Sequence, residues 1–312
     1  MEWKNKKILV TGGNGFLGSR VVEMLKNRGA NKIVIPESIK WDLRKTENCS
    51  EITKDVDIVF HLAAKVGGIG LNQKNPGELF YDNLMMGVNL MEESRKNKVK
   101  KFISLGTICS YPKYTPIPFK EDTIWNGYPE ETNAPYGLAK KMLLVQSLAY
   151  LQQYNFHSIT VFPTNLYGPN DNFDNESSHV IPAIIKKVIE SKKEGKNYIS
   201  LWGDGTPTRD FLYVDDAAEG IVLAAEKYDK SEPLNLGSGI EISIKELAEM
   251  ILDIMGENME IKWEKEKPNG QPRRCVSISK ATEEIEFYPK IELREGLEKT
   301  IEWYKGIAIN SK

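Results

Sequence analysis

The chain has 312 residues, 40% of them apolar, enough to bury one large core or two modest ones. A net charge of −2 and a pI near 6.1 exclude an electrostatic grip on nucleic acid or on an anionic membrane. No run approaches the roughly 18 apolar residues of a membrane span, and the first residues lack the apolar core of a signal peptide. Three scattered cysteines (Cys49, Cys109, Cys275) and three histidines without a CxxC pair argue against a disulfide framework or a structural zinc. The expectation is a soluble cytoplasmic enzyme without a metal.

Short β-branched runs alternate with amphipathic helical patterns. The runs are Ile8–Val10, Lys32–Ile35, Ile58–Phe60, Phe102–Leu105 and Ile159–Phe162, and the helices are Leu17–Lys26, Asn83–Lys96 and Tyr136–Gln153. Near-continuous apolar strands separated by helices predict a parallel sheet covered on both faces, a Rossmann-type doubly wound α/β fold. After Pro163 the sequence changes to a Pro, Asn and Gly loop. A helix at Val180–Lys193 and another at Ser243–Met255 then predict a smaller α+β unit. The expected division is a dinucleotide-binding domain over 1–165 and a substrate domain over 166–312, with segments near 210–240 returning to the first. A polar, fraying tail is expected from Lys305.

The first strand runs directly into Thr11-Gly12-Gly13-Asn14-Gly15-Phe16-Leu17-Gly18, which opens a helix. Glycines there allow a tight turn and let backbone approach a pyrophosphate, whose charge the helix N-terminus favours. Gly12, Asn14, Gly15, Phe16, Leu17 and Gly18 are therefore cofactor candidates. Glu37 lies about 20 residues on, where a carboxylate bonds a ribose 2′-hydroxyl and repels a 2′-phosphate. It argues for NAD, and Asp42 is a second candidate, for the adenine edge. Leu62, Ala63 and Ala64 follow the third strand as small residues over which a cofactor can lie. His61, part of that strand end, reads as structural.

Thr107-Ile108-Cys109 ends the fourth strand, and Tyr136-Gly137-Leu138-Ala139-Lys140 follows. Tyr136 and Lys140 share a helix face. An ammonium beside a phenol lowers the phenol pKa, making Tyr136 an acid/base candidate. Thr107 supplies a hydroxyl beside a carbonyl oxygen. Cys109 is a thiol that simple hydride transfer does not need.

These residues resemble the extended short-chain dehydrogenase/reductases over nearly the whole chain. The motifs are Gly12-x-x-Gly15-x-x-Gly18, His61-Leu62-Ala63-Ala64 and Tyr136-x-x-x-Lys140. Cys109-Ser-Tyr-Pro-Lys113, Ser178-His-Val-Ile-Pro182, Trp202-Gly-Asp-Gly-Thr-Pro-Thr-Arg209 and Lys267-Pro-Asn-Gly-Gln-Pro-Arg273 are similar to one branch. That branch comprises the GDP-4-keto-6-deoxy-mannose 3,5-epimerase-4-reductases, the GDP-L-fucose synthase family. The resemblance implies that Cys109 and His179 are the acid/base pair for epimerisation beside a ketone. It implies that Tyr136 and Thr107 hold the enolate and later the C4 oxygen, with Lys140 on the nicotinamide ribose. Pro163 joins the cofactor set, and Asn165, Lys187, Trp202 and Arg209 bind the GDP-sugar. NADP(H) is the implied cofactor and a homodimer through Asn83–Lys96 and Tyr136–Gln153 the implied assembly.

This chain departs from the branch in three places. Thr107 replaces a Ser and Lys187 an Arg, losing bidentate geometry. Asn14 stands where the branch often has an Arg for the NADP 2′-phosphate, which with Glu37 favours NAD(H). Two other readings stay open. One is an NAD-retaining nucleotide-sugar epimerase or C4 dehydrogenase without net reduction. The other is an inert NAD(P) and sugar-nucleotide sensor.

Overall fold

A computed structural model describes residues 1–175 and 177–310. Its first half alternates strand and helix. In order these are β1 (Lys7–Thr11), α1 (Phe16–Asn27), β2 (Lys32–Val34), α2 (Thr46–Ile52), β3 (Ile58–His61), α3 (Ile69–Lys74), α4 (Pro76–Lys96), β4 (Lys101–Leu105), α5 (Ala134–Tyr154) and β5 (Ser158–Pro163). The second half begins with β6 (Asn165–Tyr167), α6 (Val180–Lys193), β7 (Tyr198–Trp202), β8 (Thr208–Arg209) and β9 (Phe211–Tyr213). It continues through α7 (Val214–Lys227), β10 (Leu234–Leu236), β11 (Ile242–Ser243), α8 (Ile244–Met255), β12 (Glu260–Glu264), β13 (Arg273–Arg274), α9 (Ser279–Ile285) and α10 (Leu293–Asn310).

The doubly wound α/β expectation holds. Six parallel strands form one sheet in the order β10-β5-β4-β3-β1-β2. β3, β4 and β5 are buried along their whole length, because helices cover both faces. On one face Val21, Leu25, Ile221 and Val222 of α1 and α7 pack on Ile8, Val10 and Phe60. On the other, Leu90, Met91 and Leu143 of α4 and α5 pack on Leu9, Val59 and Phe102. A separate core of Ile184, Ile185, Leu201, Leu247, Ile251 and Leu297 fills the second half.

The order in which strands are added reverses between β1 and β3, since β2 lies beyond β1 and the later strands beyond β3. The crevice at the carboxyl ends of strands flanking such a reversal is where ligands bind in open α/β sheets. Three small sheets border that crevice: β6 with β9, β7 with β12, and β8 between β11 and β13. The six-stranded sheet closes with β10, which pairs with β5 through Leu234↔Val161, Asn235↔Phe162 and Leu236↔Pro163.

The helix at Val180–Lys193 forms as the apolar spacing predicts, and α8 starts at a capping box in which Ser243 and Glu246 each bond the other's backbone N–H. α4 starts at Pro76, not Asn83, because Pro fits a first helical turn. α10 continues past Lys305 to Asn310, where a frayed tail was expected; residues 311–312 of that tail lie outside the described residues. Among the described residues no helix is long and apolar enough to cross a membrane.

Candidate active site

One cleft of about 1890 Å³ runs along the carboxyl ends of the strands and under the second-half sheets. That exceeds the roughly 300–1,000 Å³ of a single small-ligand pocket, so it has room for a dinucleotide and a sugar nucleotide together. Every site residue nominated from the sequence lines it, from Gly12 at one end to Arg209 at the other.

At the cofactor end, Gly18 in the first turn of α1 lies against the preceding loop. A Cβ there would fall 1.9 Å from the Gly12 carbonyl oxygen, so only glycine allows the helix to start so close to β1. Gly15, the N-cap residue, has no side chain to satisfy the first amides, which leaves them for an anion. This cradle fits a dinucleotide pyrophosphate. Glu37 is exposed at the rim. Asp42 is engaged otherwise: Arg44 donates to both its oxygens, Nε to Oδ1 and Nη2 to Oδ2 at 2.9 Å, and also to Asp82 at 2.9 Å. That clamp holds the Asp42 carboxyl below its usual pKa, mainly through the Arg44 side-chain hydrogen bonds. Arg44 and Lys45 also line this end, two cations that the sequence reading did not weigh. His61 is buried, shares a 2.9 Å hydrogen bond with Thr11, and is pushed down to about 3 by burial and then by the Lys140 charge. It stays neutral, as a structural residue does.

At the centre, Thr107 caps a short 3₁₀ turn, accepting from the Cys109 amide at 3.3 Å. Gly137 of α5 packs on that turn so closely that a Cβ would lie 2.3 Å from the Cys109 carbonyl oxygen. The turn and the helix thus hold Cys109 and Tyr136 beside each other. The Tyr136 phenol is pushed above its ordinary pKa, first by burial and then by the Cys109 charge, while a Thr107 hydrogen bond opposes. This corrects the expectation that Lys140 lowers it. Helical spacing puts the two residues on one face, but Lys140 is itself only 2% exposed and burial brings it down to about 8. Desolvation acts on both groups and favours both neutral forms.

His179, also on the cleft lining, ends the loop before α6, serving as its N-cap residue without a side-chain capping bond. It keeps open surface toward the cleft, and the surrounding protein lowers its pKa by desolvation. Farther out, Asn165 Nδ2 donates to the Asp210 carbonyl at 2.9 Å. Lys187 Nζ donates to the Ser200 carbonyl at 2.6 Å. Trp202 is 45% exposed with Lys267 Nζ 5.5 Å over its ring. Arg209 is buried and donates to the Thr208 carbonyl at 2.7 Å.

Two further lining residues, Asp171 and Arg274, also went unread in the sequence. Asp171 is buried; one of its oxygens accepts from the Asn172 amide at 2.7 Å, the other has no hydrogen-bond partner among the described residues, and burial raises its pKa to about 7. Arg274 is buried and donates through Nη1 to the Cys109 sulfur at 3.5 Å. Its signal stood one residue beyond the quoted motif ending at Arg273. Cys49 and Cys275 are buried away from the cleft lining, each pushed up to about 12 chiefly by burial.

A profile of the NAD dependent epimerase/dehydratase family matches residues 8–237. A GDP-L-fucose synthase of Arabidopsis thaliana is 37% identical over 306 residues, covering 97% of this chain and 94% of the relative. A GDP-L-fucose synthetase of Naegleria fowleri, solved with NADP bound, superposes with a TM-score of 0.88 at 28% identity, covering 98% of this chain and 95% of that one. A GDP-6-OMe-4-keto-L-xylo-heptose reductase of C. jejuni superposes with a TM-score of 0.90 at 28% identity, covering 97% and 99%.

Proposed function

The chain belongs to the NAD dependent epimerase/dehydratase family, and from that we propose that it converts GDP-4-keto-6-deoxy-mannose to GDP-L-fucose, inverting C3 and C5 and reducing C4. The observation that carries this reading is a thiol and an imidazole, Cys109 and His179, lining the cleft that Tyr136 also lines. Reduction of a ketone needs no such pair; inversion beside a ketone needs one group to take a proton and another to return it.

In this reading Cys109 takes the proton next to the C4 ketone. The electron pair moves into an enolate whose oxygen Tyr136 and Thr107 hold by hydrogen bonds. His179 returns a proton on the opposite face. A nicotinamide cofactor, when bound, supplies the hydride for the C4 step. Tyr136, kept protonated by burial, then gives its proton to the C4 oxygen. Lys140 orients the ribose. Gly12, Asn14, Gly15, Phe16, Leu17, Gly18, Leu62, Ala63, Ala64 and Pro163 form the cofactor wall. Asn165, Lys187, Trp202 and Arg209 hold the GDP-sugar, Arg209 through a bidentate bond to the diphosphate. Residues 1–165, with the later β10, form the cofactor unit in this proposal, and most of 166–312 the sugar unit. Exposed Tyr81, Val145 and Leu148 on α4 and α5 support a homodimer through those helices.

For the cofactor we favour NAD(H). Glu37 stands exposed at the adenosine end and Asn14 brings no cation. The same pair supports a second reading, an NAD-retaining epimerase without net reduction. Incubation with GDP-4-keto-6-deoxy-mannose and reduced cofactor in deuterated water separates the two. Deuterium at C3 and C5 with loss of reduced cofactor supports the first; epimerisation without such loss supports the second and sinks the reductase step.

A further inference from the structure

Cys109 has a cation built against it. β13 lies beside β8 in register, so Arg274 stands opposite Arg209. Both are buried, at 6% and 9% exposure. Among the described residues neither has a carboxylate within salt-bridge distance, whereas Arg273 on the same strand is paired with Glu241. Two adjacent buried guanidiniums repel, and Arg274's charge presses on Arg209 after burial itself. Such a pair costs free energy unless anions meet it. Arg209 has the diphosphate in the function proposed above. Arg274 points elsewhere: its Nη1 lies 3.5 Å from Cys109 Sγ.

The guanidinium is also held in place. Its Nε donates to Gln271 Oε1 at 2.8 Å, and buried Gln271 donates in turn to the Lys113 carbonyl at 2.9 Å. The Arg274 carbonyl accepts from the Asp210 amide at 2.9 Å. A buried arginine so braced on both sides presents a fixed donor to the sulfur, not a mobile charge.

We propose that Arg274 is a positioning residue that holds Cys109 as a thiolate aimed into the cleft, ready to take the proton beside the ketone. The charged groups bearing on Cys109 are the guanidiniums of Arg274 from β13 and Arg209 from β8, and the titratable group beside it is the Tyr136 phenol from α5. The two cations favour the thiolate, and the phenol is neutral. In the step itself the thiolate becomes a thiol as the C–H bond breaks and the electron pair passes to the enolate. His179 as imidazolium gives a proton to carbon, so charge and atoms balance without redox change. Arg274 touches neither carbon nor hydride; it acts through the sulfur.

The test begins without substrate. The full-length protein is alkylated with iodoacetamide at pH 7 and labelling of each cysteine is followed by peptide mass; buried Cys49 and Cys275 serve as slow references. Arg274→Met should slow labelling of Cys109 by roughly tenfold or more and move its pH–rate profile to higher pH. Arg274→Lys should stay within about threefold of the unaltered protein, since it keeps the charge. Arg274→Gln carries the same expectation as Arg274→Met and replaces it should that variant not fold. Equal labelling rates in the unaltered and uncharged variants overturn the proposal. This arm stands whether or not the chain is an epimerase-reductase, so its failure is distinct from failure of that reading. With sugar nucleotide, Arg274→Met should lower the kcat for C3 and C5 deuterium exchange by roughly tenfold or more, with KM changed less than about threefold. A change confined to KM would assign Arg274 to ligand binding and overturn the positioning role.

Discussion

The Ser110 hydroxyl donates to the Gly137 carbonyl at 2.8 Å, tying the turn that carries Cys109 to the helix that carries Tyr136. The bond is buried and spans 27 residues of chain, so it fixes the spacing of the two reactive groups through backbone rather than through the groups themselves. Ser110→Ala should cost about 1 kcal/mol of stability by chemical denaturation. Gly137→Ala should do more damage at the site, since its methyl meets the Cys109 carbonyl. Deuterium exchange at C3 and C5 should fall at least tenfold in Gly137→Ala while cofactor affinity, measured by calorimetry, changes little. Undiminished exchange would show that this contact does not set the geometry.

Lys140 makes a prediction about stability. Its pKa is brought down to about 8 by burial, from an ordinary value near 10.5. The unfolded chain therefore binds the proton more tightly than the folded one. The cost is full below pH 8 and vanishes as pH rises to about 10.5, so this group makes stability increase across that window. Lys140→Met should be more stable at neutral pH, by up to about 3 kcal/mol, and inactive as a reductase. The gap should close between pH 8 and 10.5 in urea melts. A gap independent of pH would rule out the desolvation account.

His179 makes one about rate. Desolvation lowers its pKa, so its imidazolium is a stronger acid present at lower pH than usual. C3 and C5 exchange should decline with rising pH from a point below the ordinary histidine range near 6.5. Hydride transfer to an already epimerised ketone should not share that limb, and His179→Gln should abolish it. A decline that persists in His179→Gln assigns it to another group.

The cofactor end gives a fourth. NADH should support turnover with kcat/KM at least equal to that of NADPH. Asn14→Arg combined with Glu37→Ser should move the ratio toward NADPH by roughly tenfold or more, by adding a phosphate partner and removing a repelling charge. A strong NADPH preference in the unaltered protein would refute the argument from Glu37.

Much of this was legible in the sequence, for physical reasons. Apolar strands such as Ile58–Phe60 and the amphipathic Val180–Lys193 carry their own period. Motifs that bring backbone close to a ligand, such as Gly15 to Gly18, announce themselves by what they lack. Two-residue strands carry no period, and this hid Arg274 on β13 and with it the cation beside Cys109. Burial of a polar group also leaves no local mark. Hence spacing alone suggested a lowered phenol pKa at Tyr136, while the packed interior raises it. Asp171 went unnoticed within a loop rich in polar residues for the same reason.

The return of β10 to the edge of β5 has a consequence for how the molecule is made. As the chain emerges from synthesis, β5 presents an unpaired edge until residues 234–236 arrive, by which point much of the second half has already been made. The first half cannot be finished ahead of the second. A fragment ending near residue 165 would keep the β5 edge open and prone to self-association, because the strand that covers it belongs to the second half.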